Sequence, residues 1–332
     1  MIRTFVFTTQ GKLQSKDVPV AGMAAILVDP GLFIWVDMEK ATMEEAQSIL
    51  AGVFHFHPLS IEDCVAASPL PKVEEYNPGP DDKFAPYLFV VLHAVDYNRQ
   101  NGVFATSDLD FFLGKNYLVT YHDVPLRTIA SVEDRCVKGA KDVGRAPDRL
   151  AHTLVDSLVE HYKPALDELS VEISEVEQKA LQNPDPAILT QIIKIKKEVL
   201  HLRQIIGPQQ DVLAKFAAGE FKLIRPQLVP YYRDVSDEMF RISTLAHSYT
   251  DSLTGILQVY LSMSSNQTGD VVKVLTLITV ITMPLMVIST WYGMNFKDMP
   301  ELQWRHGYLI ASAVMLTTTA ATFWYFKKRK WF

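Results

Sequence analysis

The sequence predicts an α+β N-terminal body that leads through one long helix into two C-terminal membrane-spanning helices. Three observations carry this. The first hundred or so residues alternate strand-like and helix-like segments. No proline interrupts Ser236 to Val274, where Met239, Ile242, Leu245, Leu253, Ile256, Leu257 and Val259 recur at helical spacing. Two predominantly apolar runs, Val274–Tyr292 and Gly307–Phe326, lie near the C-terminus. A chain of 332 residues is long for one small core, so two units are expected, at 1–235 and 236–332.

Composition narrows the class. A hydrophobic content of 48% is too low for a membrane bundle throughout and fits a soluble body with a limited membrane part. A net charge of -6 argues against a general nucleic-acid binder, which carries a basic face. Cys64 and Cys136 are far apart and form no CxxC pair, so neither a disulfide framework nor a thiolate zinc site is indicated. A reducing cytoplasm suits such a body. The opening MIRTFVFTTQGKLQ lacks the continuous apolar core of a signal peptide and reads as a strand.

In chain order, IRTFVFT, AAILVD and LFIWVD read as short strands and MEEAQSILAGVF as a helix. YLFVVLHAVDY, SDLDFFLG and NYLVTYH read as further strands. From about Leu126 to Val235 the pattern is helical, broken by NPDP at 183–186. Asp167, Glu168, Glu172, Glu175 and Glu177 read as a solvated helix face rather than a metal-concentrating patch. HFHPLSIEDC gathers His55, His57, Glu62, Asp63 and Cys64, but its spacing matches no established ligand pattern. A helix start after Pro58, with Ser60 near the cap, is the simpler reading. Glu62 and Asp63 remain candidate hard oxygen ligands for a subunit-bridging cation. There is no phosphate-binding glycine loop, GxSxG elbow or HExxH, so no nucleotide partner and no enzyme chemistry are expected.

The two apolar runs place spans at about 272–292 and 307–326, each near the ~20 residues that cross ~30 Å of hydrocarbon. Pro284 lies inside the first, which membrane helices tolerate. The tail KKRKWF carries Lys327, Lys328, Arg329 and Lys330, whereas the connection 293–306 mixes both signs. The positive-inside rule then keeps both termini in the cytoplasm, with 293–306 outside. Trp291, Tyr292, Trp324, Tyr325 and Trp331 suit aromatic belts at the lipid surfaces. A helix continuous from Ser236 to the end of the first span would be roughly 80 Å long.

Val272, Leu275, Thr279, Met283, Met286 and Thr290 recur at steps of three and four along the first span and hold no charge. They line either a narrow tube that gates by dewetting or a packing and lipid-facing stripe. Two helices cannot enclose a pore alone, so a tube requires a symmetric oligomer.

Between the spans lies YGMNF, followed by MPEL and W..GY. With HPLSIEDC, PKVEEY, VPYYRDVSDE and VYLSMSSN upstream, the whole chain resembles the CorA-type magnesium transporters. The resemblance implies a homopentamer in a bacterial or archaeal inner membrane, with an α/β/α sandwich-like cytosolic funnel, a stalk helix continuing into the pore helix and an outer second helix. It implies magnesium influx, with cobalt and nickel as further cargo. Gly293, Met294 and Asn295 would form the selectivity filter. Neutral amide oxygens suit an ion that sheds its water reluctantly, and Gly293 would free the backbone to turn back. Gly269 would join the stripe in lining the pore. Asp298 and Glu301 would concentrate cations at the mouth. Asp63 and Asp234, with Glu62 beside them, would bind regulatory magnesium between subunits. Gln258, Gly269 and Met286 depart from the residues expected there, and NPGPDDKFAP at 77–86 reads as a loop insertion. Two other readings share this architecture: a zinc transporter of the same superfamily, and a non-conducting, membrane-tethered cation sensor.

Overall fold

The computed structural model describes residues 1–66, 70–80, 82–98, 103–139, 143–182, 185–295, 299–329 and 331. The chain divides into two compact units. One comprises Met1–Lys179 with Asp185–Ile256, and the other Ala180–Pro184 with Leu257–Phe332.

The first unit is built on a sheet of seven strands: β1 (Ile2–Thr8), β2 (Leu13–Lys16), β3 (Leu32–Glu39), β4 (Lys72–Tyr76), β5 (Tyr87–Asn98), β6 (Val103–Leu113) and β7 (Tyr117–His122). Their order is β2-β1-β3-β7-β6-β5-β4. Among the described residues, β3 and β7 are the one parallel pair, with Ile34 opposite Tyr117 and Glu39 opposite His122. Continuous apolar strands such as LFIWV and YLFVVL mean that both faces are covered. On one face, α1 (Val20–Val28), α2 (Met43–Ala46) with the wider turn Gln47–Ala51, and α3 (Pro58–Val65) bury Met23, Ile49, Leu50, Phe54 and Phe56 against Val36, Phe89 and Phe112. Against the other lie α4 (Arg127–Val137), α5 (Pro147–Glu160) and α7 (Pro186–Ala218), after α6 (Tyr162–Gln182). The body is thus the expected mixed helix–sheet–helix sandwich.

One local reading changes, and one strand had gone unread. AAILVD is helical, within α1, where only Met23 is buried and Val28 is 83% exposed. A short apolar run does not reveal its period, and alanine and leucine favour the helix. PKVEEY contains β4, an edge strand whose charge hid it, paired with β5 from Lys72↔Val91 to Tyr76↔Tyr87. The insertion at 77–86 closes that hairpin, with Phe84 packed edge-on against Tyr87. Among its residues, Asp81 lies outside the described ones.

The long helix α8 (Val229–Tyr292) has 64 residues and begins earlier than Ser236. Pro230 falls in its first turn, where a missing N–H costs nothing. Within the first unit its buried positions are Tyr232, Val235, Met239, Ile242, Ala246, Leu253 and Ile256, a repeat of three and four. Leu245, at 46% exposure, falls off that stripe. Polar ties hold the same stretch: Lys196 Nζ donates to Thr254 Oγ1 at 3.1 Å and Tyr249 Oη to the Leu166 carbonyl at 3.3 Å. Arg225, just before the helix, makes a two-pronged ion pair with buried Asp148 at 2.7 Å. The acidic run on α6 is mostly solvated, as expected.

In the second unit, α8 continues to Tyr292, and α9 (Gly307–Lys328) follows a short 3-10 turn at Pro300–Gln303. Both helices are long and apolar enough to cross a membrane, and their apolar side chains are largely exposed within one chain.

Candidate functional site

The stripe predicted on the first span lies on one face of α8. Val272, Leu275, Thr279, Met283, Met286 and Thr290 are all exposed, as is Gly269. Met283 and Met286 are 59% and 64% exposed, far from the burial that a packing stripe within one chain would give. Their covering must come from lipid or from other copies. Thr279 donates its hydroxyl to the Leu275 carbonyl at 2.9 Å and Thr290 to that of Met286 at 2.6 Å. Each hydroxyl proton is therefore engaged by the helix itself. What remains is an oxygen lone-pair surface, an acceptor for water or for a cation's hydration shell.

The GMN motif closes the helix. Gly293 N donates to Ser289 O at 3.0 Å, and Met294 N reaches Trp291 O at 3.4 Å. The expected role of Gly293 changes. Its φ is not positive, so backbone freedom to turn back is not what glycine supplies there. A Cβ at that position would instead lie 3.0 Å from Ser289 O, so a side chain would crowd the closing turn. Asn295 follows, and it is exposed. Asp298 lies outside the described residues. Glu301 is exposed in the 3-10 turn, and its carbonyl would be 2.6 Å from a Cβ on Gly307. That close approach restricts position 307 to glycine and fixes the entry into α9.

The candidate regulatory carboxylates sit on two elements. Glu62 and Asp63 lie on α3 and Asp234 in the second turn of α8; Glu62 and Asp234 are exposed. Asp63 accepts from Lys72 Nζ at 2.5 Å, and Lys72 also reaches Glu74 Oε1 at 3.2 Å. Among the described residues, no three His, Cys, Asp or Glu side chains assemble into a metal-holding group. One chain thus contributes separate carboxylates, and any shared cation needs a second copy beside it.

The HFHPLSIEDC cluster does not converge. His55 Nδ1 engages the Ala51 carbonyl at 2.9 Å. His57, not Ser60, caps α3 by accepting from Leu59 N at 3.2 Å, with Pro58 as the first helical residue. Ser60 instead bonds the His57 carbonyl at 2.9 Å and Tyr87 Oη at 2.7 Å. Cys64 is 2% exposed, and burial together with Asp110 pushes its thiol well up, so no thiolate is on offer.

The sequence did not point to a buried polar network at the ends of β3 and β7. Asp37, fully buried, receives Thr120 Oγ1 at 2.6 Å and Arg3 Nη2 at 2.7 Å, and His122 Nε2 lies 3.2 Å away. Burial alone would raise the Asp37 carboxyl, but hydrogen bonds from His122, Thr120 and Arg3 hold it below the usual range. Its sequence signal is faint: Asp37 near the charged end of β3 and a histidine closing β7.

Residues 31–328 match the family model described as CorA-like Mg2+ transporter protein. The cobalt/magnesium transport protein CorA of Thermotoga maritima is 32% identical over 299 residues, covering 90% of this chain and 83% of that relative. The complete structure of the CorA magnesium transporter from Methanocaldococcus jannaschii superposes with a TM-score of 0.82 at 18% identity, covering 99% of this chain and 98% of that one. The ZntB cytoplasmic domain from Vibrio parahaemolyticus superposes with a TM-score of 0.61 at 14% identity, covering 79% of this chain and 98% of that one.

Proposed function

The chain belongs to the family of CorA-like Mg2+ transporter proteins, which are divalent-cation transporters, and on that premise we propose that it admits magnesium through a homopentamer whose mouth is a ring of Asn295. The carrying observation is the uncharged stripe of threonine oxygens and methionines, exposed along α8 and ending in an exposed Asn295. Magnesium holds its octahedral water shell tightly. A ring of neutral amide oxygens accepts hydrogen bonds from those waters without stripping them, and the threonine lone pairs below continue the same surface. The methionines between them form an apolar constriction that closes when water leaves it. Both termini face the cytoplasm of a bacterial or archaeal cell, and the tail basic residues hold them there. Inward movement needs no nucleotide, because ~2.3 kcal/mol per charge per 100 mV is doubled for a divalent ion.

Glu62, Asp63 and Asp234 serve as regulatory ligands between neighbouring copies, on hard oxygen chemistry suited to magnesium. Cation bound there favours the closed ring by its differential affinity for that state. Cobalt and nickel are further cargo for the same mouth. The likeness of the N-terminal body to a ZntB cytoplasmic domain favours zinc as a second reading. Uptake into proteoliposomes tests both. Magnesium entry driven by an inside-negative potential is expected; zinc entry coupled to protons with no magnesium flux contradicts it.

A further inference from the structure

His122 ends β7 and is 1% exposed. Its Nδ1 lies 2.6 Å from the carbonyl oxygen of Val124, and its Nε2 lies 3.2 Å from Asp37 Oδ1. A carbonyl oxygen can only accept. The Asp37 carboxylate already accepts from Thr120 at 2.6 Å and from Arg3 at 2.7 and 3.2 Å, so it too accepts from His122. A neutral imidazole has one N–H and could serve only one of these partners. Two acceptors on opposite ring nitrogens require two ring protons.

We propose that His122 is a buried imidazolium that clamps the β7–α4 connection to Asp37, and that this clamp releases when the solution bathing the N-terminal body turns alkaline. The connection, residues 123–126, carries the Val124 carbonyl and enters α4 at Arg127. The helix is also tied at its middle, where Glu133 Oε1 lies 2.8 Å from Arg3 Nε. Arg3 thus bridges Asp37, Glu133 and, at 3.1 Å, Glu39. Loss of one ring proton leaves either the Val124 carbonyl or one oxygen of the fully buried Asp37 with one donor fewer. Val124, Pro125, Leu126 and Arg127 also wall a cavity of about 350 Å³ that reaches His161 and Glu168. Release of the clamp frees one wall of that cavity.

The charges around the ring favour the cation. From β3 come Asp37 and Glu39, from β1 Arg3, and from α4 Glu133, while the amino group of Met1 donates to the Glu39 carbonyl. Just after β7, Asp123 accepts from Tyr121 Oη at 3.2 Å. On β6, burial holds the Asp110 carboxyl well above the usual range. From α5, which packs on β3 and β7, Asp148 is paired with Arg225, and His152 packs on the rings of Tyr231 and Tyr232. Burial opposes protonation of His122, but the hydrogen bond and charge of Asp37 and the Val124 carbonyl outweigh it, raising the ring above the ordinary 6.5. A raised value contributes stability that is fully present below pH 6.5 and is lost as pH rises through the folded value.

The full-length chain in lipid vesicles, labelled with 15N-histidine, tests this by solid-state NMR, with His122→Gln assigning the signal among the nine histidines. Both ring nitrogens of His122 are expected to carry protons at pH 7, with loss only above the ordinary range. Hydrogen exchange of the 123–128 amides, corrected for its intrinsic pH dependence, is expected to rise between pH 7 and 9 to the level the His122→Gln variant shows at both. A neutral single-tautomer ring at pH 7 overturns the proposal. So does wild-type protection of 123–128 that is the same at pH 7 and 9.

Discussion

Asp63 shows how one contact sets the terms for a binding site. Its carboxylate is held by Lys72, and in the proposed regulatory site a cation shared with a neighbouring copy would have to displace that ammonium. The pair is partly exposed, 28% at Lys72 and 43% at Asp63, so its contribution is small. Lys72→Met is therefore expected to lower the magnesium concentration that half-protects the chain from protease by up to about fivefold, the equivalent of ~1 kcal/mol. Asp63→Ala is expected to abolish the protection; a chain whose protection ignores Asp63→Ala would remove the regulatory role of this carboxylate. Residues of this kind were unevenly legible. Asn295 stood out because GMN sits between two apolar runs, a local signal. The Asp37–His122 pair did not, because 85 positions separate the partners and only the parallel pairing of β3 with β7 brings them together. Hydrophobic periodicity carries no information about which buried polar groups meet.

At the scale of elements, α8 changes character along its length. Up to Ile256 one stripe is buried against its own chain; beyond it, Val271, Val272, Leu275 and Ile278 are more than half exposed. The same helical period runs through both parts, which is why the sequence showed a single helix but not where its surroundings change. Truncating the buried part, as in Ile242→Ala at 1% exposure, is expected to cost about 2–5 kcal/mol. A thermal-unfolding measurement in detergent micelles would show it as a clear drop in midpoint, and an unchanged midpoint would put Ile242 outside the core. Elsewhere legibility followed burial. Strands covered on both faces were readable as apolar runs. The edge strand β4 was hidden by its own charges, and α1 was mistaken because a short apolar run fits either period.

At the scale of the whole molecule, a single chain leaves its most apolar surface and its most chemical one exposed together. Lipid can cover the aliphatic side chains of both spans, but gains nothing from the threonine oxygens or from Asn295. The proposed symmetric association would place those groups around a common axis, and native mass spectrometry is expected to give five copies of the 37.5 kDa chain. A dimer or monomer in lipid-preserving conditions would leave the stripe without a lumen. The central claim is that Asn295 selects the ion at the mouth of that ring, and one measurement reaches it directly. Potential-driven magnesium uptake into proteoliposomes, compared between the wild-type chain and Asn295→Ala at equal incorporation, is expected to lose its preference for magnesium over monovalent cations. Magnesium uptake and selectivity that survive the substitution unchanged would contradict the account.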